Sequence, residues 1–114
     1  DIFHCSQRRF WEPEFAGSEL NLAGWTQKIT GKPAITVGSV GLDADFTPKP
    51  GEAHFKEADP ASLDTLLHRL DQNEFELVAV GRALISNPDW VNLVQAKRMD
   101  DLKPFRKEHL GELV

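Results

Sequence analysis

The sequence lacks several features that would assign it to a class. Its 114 residues include no tyrosine and a single cysteine, Cys5, so no disulfide can form within the chain. No apolar run approaches the ~20 residues that a membrane-spanning helix needs, and no secretory hydrophobic segment is visible. The formal net charge of −5 argues against a nucleic-acid-binding surface. These absences favour a reducing compartment, and we expect the protein in the cytoplasm and away from membranes.

What the chain contains is an alternation of strand and helix patterns. Short apolar runs bounded by turn residues predict three strands, over residues 1–5, 34–38 and 75–80. Each run is followed by a segment with helical spacing, which is typical of α/β proteins with a parallel sheet. We therefore expect a three-stranded parallel sheet in the order 1-2-3, with right-handed helical crossovers.

The helices are predicted from the spacing of apolar residues and from end signals. The first covers 20–29, with Ser18 as its N-cap and Gly31 at its end. The second covers 60–70, and its apolar stripe consists of leucines: Leu63, Leu66, Leu67 and Leu70. A short helix follows Gly81, a longer one covers 88–98, and a final amphipathic turn leads to Val114. The turn-rich segment 43–60 is long for a βα loop and is expected over the mouth of a barrel.

Two consecutive predicted strands end in glycine. The run of residues 77–80 leads into Gly81-Arg82, and the run of residues 34–37 leads into Gly38-Ser39. Glycine lets a backbone approach a ligand closely, and arginine provides a planar fork of charged donors. Because parallel strands end at one edge of a sheet, the two glycine-tipped loops are expected to hold one phosphate. In a (β/α)8 barrel the loops after strands 7 and 8 have this role.

Three segments together carry a family resemblance: His4-Cys5-Ser6-x-Arg8-Arg9-Phe10-Trp11-Glu12-Pro13, then Ile35-Thr36-Val37-Gly38-Ser39-Val40-Gly41, then Glu76-Leu77-Val78-Ala79-Val80-Gly81-Arg82-Ala83-Leu84 with Asn87-Pro88-Asp89-Trp90. In this order and spacing the chain resembles the C-terminal part of the old yellow enzyme family, which are NADH:flavin oxidoreductases. The resemblance implies a partial (β/α)8 TIM barrel whose three units correspond to strands 6 to 8. Residues 1–114 would then be a C-terminal fragment of an FMN-binding barrel, with the N-terminal part outside the chain.

The resemblance also implies roles for individual residues. Gly38, Ser39 and Gly81 would present backbone N–H groups to the FMN phosphate, and Arg82 would add its side chain. The loop from Arg8 to Trp11 would lie on the substrate side of the barrel mouth. In this family NAD(P)H reduces the flavin, which passes hydride to an activated alkene such as an α,β-unsaturated carbonyl compound.

The catalytic set that the family uses is not found in this chain. Its usual proton donor is a tyrosine, and none is present. The histidines of this sequence do not occupy the positions that hold the substrate carbonyl: His4, His54, His68 and His109. We therefore assign no catalytic residue here and expect the chain alone to be inactive. No cysteine cluster follows the barrel strands, so an iron–sulfur centre is not expected, and no metal-ligand spacing recurs.

The sequence leaves other interpretations of the assembly, the candidate site and the function open. Three strands cannot close a barrel of ~250 residues, and the outer two would be open edges. The chain is thus expected either to be completed by preceding residues or to form a homo-oligomer. Gly81-Arg82 could be a tight turn with a solvated arginine, and Trp11 could be a packing residue. The function could also be that of a non-flavin phosphate-binding barrel, an aldolase or isomerase, or of a non-catalytic half-barrel module.

Overall fold

In a computed structural model of the chain, which describes residues 1–44, 50 and 57–111, three short strands form one sheet. Strand β1 spans Phe3–Cys5, β2 spans Ala34–Thr36 and β3 spans Leu77–Val78. The order is β1-β2-β3, and both neighbouring pairs are parallel. The α/β class and the parallel order predicted from the sequence are therefore confirmed.

Each strand is shorter than predicted because the residues at its ends leave the sheet. Strand β2 was expected to reach Gly38, but the backbone turns there with a φ of +132°, far outside the β region. Strand β3 was expected to start at Phe75, which instead lies in the core with 1% of its surface exposed. The predicted strand ends are therefore parts of loops, and the loop that begins after β2 contributes to the site described below.

Helices accompany the strands in the described part of the chain. They are α1 (Leu22–Thr30), α2 (Asp64–Asp71), α3 (Arg82–Ser86) and α4 (Trp90–Gln95), with short 3-10 helices at Met99–Asp101 and Lys107–Gly111. None of the helices formed by these residues has the length and apolar character that a membrane crossing requires. Most of the segment 43–60, which was expected over a barrel mouth, and residues 112–114 of the final amphipathic turn lie outside the described residues.

Helix α1 is capped by Asn21 and not by the predicted Ser18. The Asn21 side-chain oxygen accepts a hydrogen bond from the Gly24 N–H at 2.8 Å. Its amide nitrogen donates to the Phe10 carbonyl at 2.9 Å and to the Thr36 hydroxyl at 3.0 Å. Asn21 is wholly buried, so it joins the start of α1 to β2 and to the loop after β1. The other end of α1 is as predicted, since Gly31 closes it with a φ of +67°.

Helix α2 begins later than predicted because the residues before it pair with another loop. Pro60 forms an antiparallel bridge with Leu42, and the Ala61 N–H donates to the Gly41 carbonyl at 2.9 Å. Helix α4 also differs, since it ends at Gln95 and not at residue 98. There Lys97 adopts a φ of +57°, which stops the helix.

The apolar faces of the helices are narrower than their sequence patterns indicate. In α2 and its N-cap, Leu63 and Leu66 are buried as predicted, but Leu67 is 52% exposed. Leu67 lies ~100° around the helix from Leu66, at the margin of a short contact face. In α1 the buried residues are Ala23 and Gly24, while Ile29 is 74% exposed. Spacing alone therefore overstated how much of each of these two helices is buried.

Candidate anion-binding site

A cavity of about 390 Å³ opens at the carboxyl ends of the three strands. This volume falls within the range of small-molecule sites. The loops after β1, β2 and β3 and the C-terminal segment all contribute to its lining, which consists of Ser6, Gln7, Arg8, Val37, Gly38, Ser39, Val40, Leu42, Ala79, Gly81, Arg82, Phe105 and Leu110. The cavity therefore brings together Gly38, Ser39, Gly81 and Arg82, as the sequence predicted.

Gly38 places the loop after β2 directly against the loop after β1. Its φ of +132° is a conformation that residues with a side chain rarely adopt. A Cβ at this position would lie 2.6 Å from the Gln7 carbonyl oxygen and 3.0 Å from the Arg9 nitrogen. The Gly38 carbonyl in turn accepts a hydrogen bond from the Phe10 N–H at 3.0 Å. Glycine is thus required here by the contact between two backbones.

Ser39 ties this loop to its surroundings through its hydroxyl. The residue has a positive φ of +53° and is 9% exposed. Its Oγ lies 2.8 Å from the Arg8 carbonyl oxygen and 3.2 Å from that of Ala44, and its single proton can donate to either of them. The backbone of Ser39 is therefore held at the cavity wall.

Arg82 crosses the cavity from the β3 side to the β2 side. One of its guanidinium nitrogens, Nη2, donates to the Ala44 carbonyl at 2.6 Å and to the Ser39 hydroxyl at 3.2 Å. The guanidinium carbon also lies over the Phe105 ring, 5.5 Å from its centre. Arg82 is half-buried, so it is not the solvated turn residue that the alternative interpretation required.

The backbone N–H groups of the glycine-tipped loops complete the site. Within the described residues, no hydrogen bond uses the N–H of Gly38, Ser39 or Gly81 as donor. Buried backbone N–H groups are rarely left without an acceptor, yet Gly38 and Ser39 are both buried. Several such donors beside one arginine form a site that favours an anion with multiple acceptor oxygens, such as a phosphate group.

The two residues predicted on the substrate side, Arg8 and Trp11, lie in different places. Arg8 is exposed and lines the same cavity. Trp11 lines a separate cavity of about 290 Å³, and its ring meets that of Phe10 edge to face at 5.3 Å. The carbonyl oxygen of Trp11 accepts a hydrogen bond from Arg69 at 3.3 Å. The structure thus brings Arg8, but not Trp11, to the cavity with the phosphate-type donors.

Phe105 and Leu110 line the cavity although sequence reasoning had not selected them. They belong to the C-terminal segment, which sequence patterns identified only as an interruption at Pro104-Phe105 and a last amphipathic turn. Phe105 is 1% exposed and Leu110 is 49% exposed. No local signal distinguishes a wall residue from any other apolar residue, so only the fold could identify them.

Two further features of the described residues limit the chemistry of the site. No group of three or more histidine, cysteine, aspartate or glutamate residues in this part of the chain is arranged to hold a metal ion. Cys5 is buried on β1 with 6% of its surface exposed, as expected of a small apolar side chain.

Comparison with known proteins finds no matching family model and no matching curated protein. A function is therefore inferred from the residues quoted above and from the geometry of the cavity.

Proposed function

We propose that this chain forms the phosphate-binding part of an FMN-dependent NAD(P)H oxidoreductase of the old yellow enzyme type. Its three strand–helix units would correspond to strands 6 to 8 of a (β/α)8 barrel, within a cytoplasmic enzyme. The observation that carries the proposal is that Gly38, Ser39, Gly81 and Arg82 line one cavity. These are the four residues to which the family resemblance assigns the FMN phosphate.

The position of the cavity also supports a barrel. Ligands of parallel α/β sheets bind outside the carboxyl ends of the strands, and the cavity lies there. The two edge strands carry exposed apolar residues, since Phe3 on β1 is 42% and Leu77 on β3 is 47% exposed. Such edges fit a sheet that continues on both sides, as a barrel sheet does.

The chemistry that we assign to this chain is binding and orientation. The N–H groups of Gly38, Ser39 and Gly81 would donate to phosphate oxygens, and Arg82 would supply charge-assisted donors. Bound FMN supplies hydride transfer from NAD(P)H to an activated alkene, such as an α,β-unsaturated carbonyl compound. Because the chain has no tyrosine, the proton donor of that reaction is expected in another part of the enzyme.

The proposal is tested by titrating the 15N-labelled chain with FMN and, as a matched control, with riboflavin, which lacks the phosphate. We expect weak binding of FMN, because the contacts that other barrel strands would make to the ring system are missing. The backbone amide signals of Gly38, Ser39, Gly81 and Arg82 should shift with FMN and stay in place with riboflavin.

The other outcomes of this titration separate the alternatives. Larger shifts with a triose phosphate than with FMN would favour a non-flavin phosphate-binding barrel, an aldolase or isomerase. Equal shifts with FMN and riboflavin would show that the phosphate is not what the site recognises. No shift with any phosphate ester would overturn the proposal and favour a non-catalytic half-barrel module.

A further inference from the structure

Phe105 is held rigidly at the cavity wall by its own backbone. It pairs with Ala58 in an antiparallel bridge, with N···O distances of 2.7 Å from the Phe105 N–H and 3.2 Å to the Phe105 carbonyl. The side chain is 1% exposed, so its ring has little freedom to move. One face of the ring nevertheless meets a polar group, since the Arg82 guanidinium lies over it.

The contacts of Arg82 restrain the position of its guanidinium group. The ring of Phe105 lies on one side at 5.5 Å, and the carbonyl of Ala44 binds Nη2 at 2.6 Å. A flexible arginine side chain loses rotamer entropy when its fork is oriented for an anion. Part of that rotamer entropy is already lost in the folded chain, because the ring and the carbonyl restrict the side chain before any ligand binds.

We propose that Phe105 is a positioning residue that holds the Arg82 guanidinium in the orientation needed to bind a phosphate ester in this cavity. This inference rests on the proposed function, since it assumes that the cavity accepts a phosphate ester. Phe105 need not touch the ligand. It acts through Arg82, by a cation–π contact that both aligns the fork and stabilises its charge in a half-buried place.

The test introduces one non-aromatic substitution, Phe105→Leu, into the parent chain and into the Arg82→Ala variant. Binding is measured by FMN titration of the 15N-labelled chains. Phe105→Leu should weaken FMN binding about three- to tenfold. In the Arg82→Ala background the same change should have no further effect, because the group that Phe105 orients is gone. A residue that only fills the core would lower affinity by the same factor in both backgrounds, and that result would overturn the inference.

Phe75 supplies the matched control. It is as buried as Phe105, at 1% exposure, and is not among the residues that line the cavity. Phe75→Leu should lower the midpoint of urea unfolding about as much as Phe105→Leu but leave FMN binding unchanged. If Phe105→Leu does not fold, Phe105→Met replaces it, since methionine fills irregular space without an aromatic ring.

The result also separates this inference from the proposed function. If the parent chain binds FMN and the folded Phe105 variant binds it equally well, the positioning role is wrong while the proposed function stands. If the parent chain shows no phosphate-dependent binding, the proposed function fails, and the inference fails with it.

Discussion

The loops after β2 and β3 look alike in sequence but differ in structure. Each begins with a glycine after a short apolar strand, and both line the same cavity. Gly38 has a φ of +132°, and a Cβ there would lie 2.6 Å from the Gln7 carbonyl oxygen. Gly81 has a φ of −104°, and nothing lies within 4 Å of a Cβ built on it.

The difference teaches that the two glycines serve different purposes. Gly38 is needed for folding, because a neighbouring backbone occupies the space of any side chain. Gly81 borders open space beside the cavity, so a side chain there would meet no neighbouring atom. Under the proposed function, glycine at this position would let a ligand approach the backbone closely. Substitutions at the two loops should therefore affect different measurements.

The largest expected effect is that of Gly38→Ala on stability. The methyl group forces the β1 and β2 loops apart and occupies a φ unfavourable to alanine, so unfolding should become easier by about 3 kcal/mol. Urea unfolding followed by circular dichroism measures this. Gly81→Ala is the matched control and should reduce stability less, because nothing lies within 4 Å of the added methyl group. Equal losses in both variants would contradict the distinction between the two glycines.

The next effect is that of Arg82→Ala on ligand affinity. Charge-assisted hydrogen bonds contribute roughly 1.5–3 kcal/mol, so FMN binding should weaken about 10- to 100-fold. Arg82→Lys should recover only part of the loss, because it keeps the charge but not the planar fork. The fold should persist in both variants, as circular dichroism would verify. Arg82 is not a phosphate ligand if the alanine variant binds FMN as tightly as the parent chain.

The smallest expected effect is that of added side chains at Gly81. Gly81→Ala should weaken FMN binding by a few-fold, and Gly81→Val should weaken it more, because each enlarges the wall next to the backbone N–H. Since φ is −104°, the loss would come from blocked approach and not from an unfavourable φ. Amide shifts on FMN titration measure it. A valine variant with unchanged affinity would show that the ligand does not approach this backbone.

Much of the fold followed from local patterns that depend on few neighbours. Apolar runs with turn residues at their ends located three strands, and Gly31 marked the end of α1, because αL capping is a property of one residue. The grouping of Gly38 with Gly81 was also predictable, since parallel strands end at one edge. These features need only the backbone rules of strands and helices.

The differences between the sequence predictions and the structure concern residues whose surroundings depend on distant partners. Ser18 and Asn21 are both suitable caps, and Asn21 caps α1 because it also reaches Phe10 and Thr36 across the core. Trp11 lies in the predicted loop, but it lines a second cavity. The spacing of residues along the chain does not predict the cap of α1 or the surroundings of Trp11, because both depend on which segments pack together.

The sequence by itself determined the strand and helix alternation, the parallel order and the glycine-tipped ends, since these follow from periodicity and from the conformational freedom of glycine. Only the tertiary structure decided that Phe105 lines the cavity with Arg82 over its ring. It also decided that neighbouring backbone atoms lie against Gly38 but not against Gly81. The physical reason is that periodicity is a property of adjacent residues. Burial, close approach and the direction of a guanidinium depend on segments that are far apart in the chain.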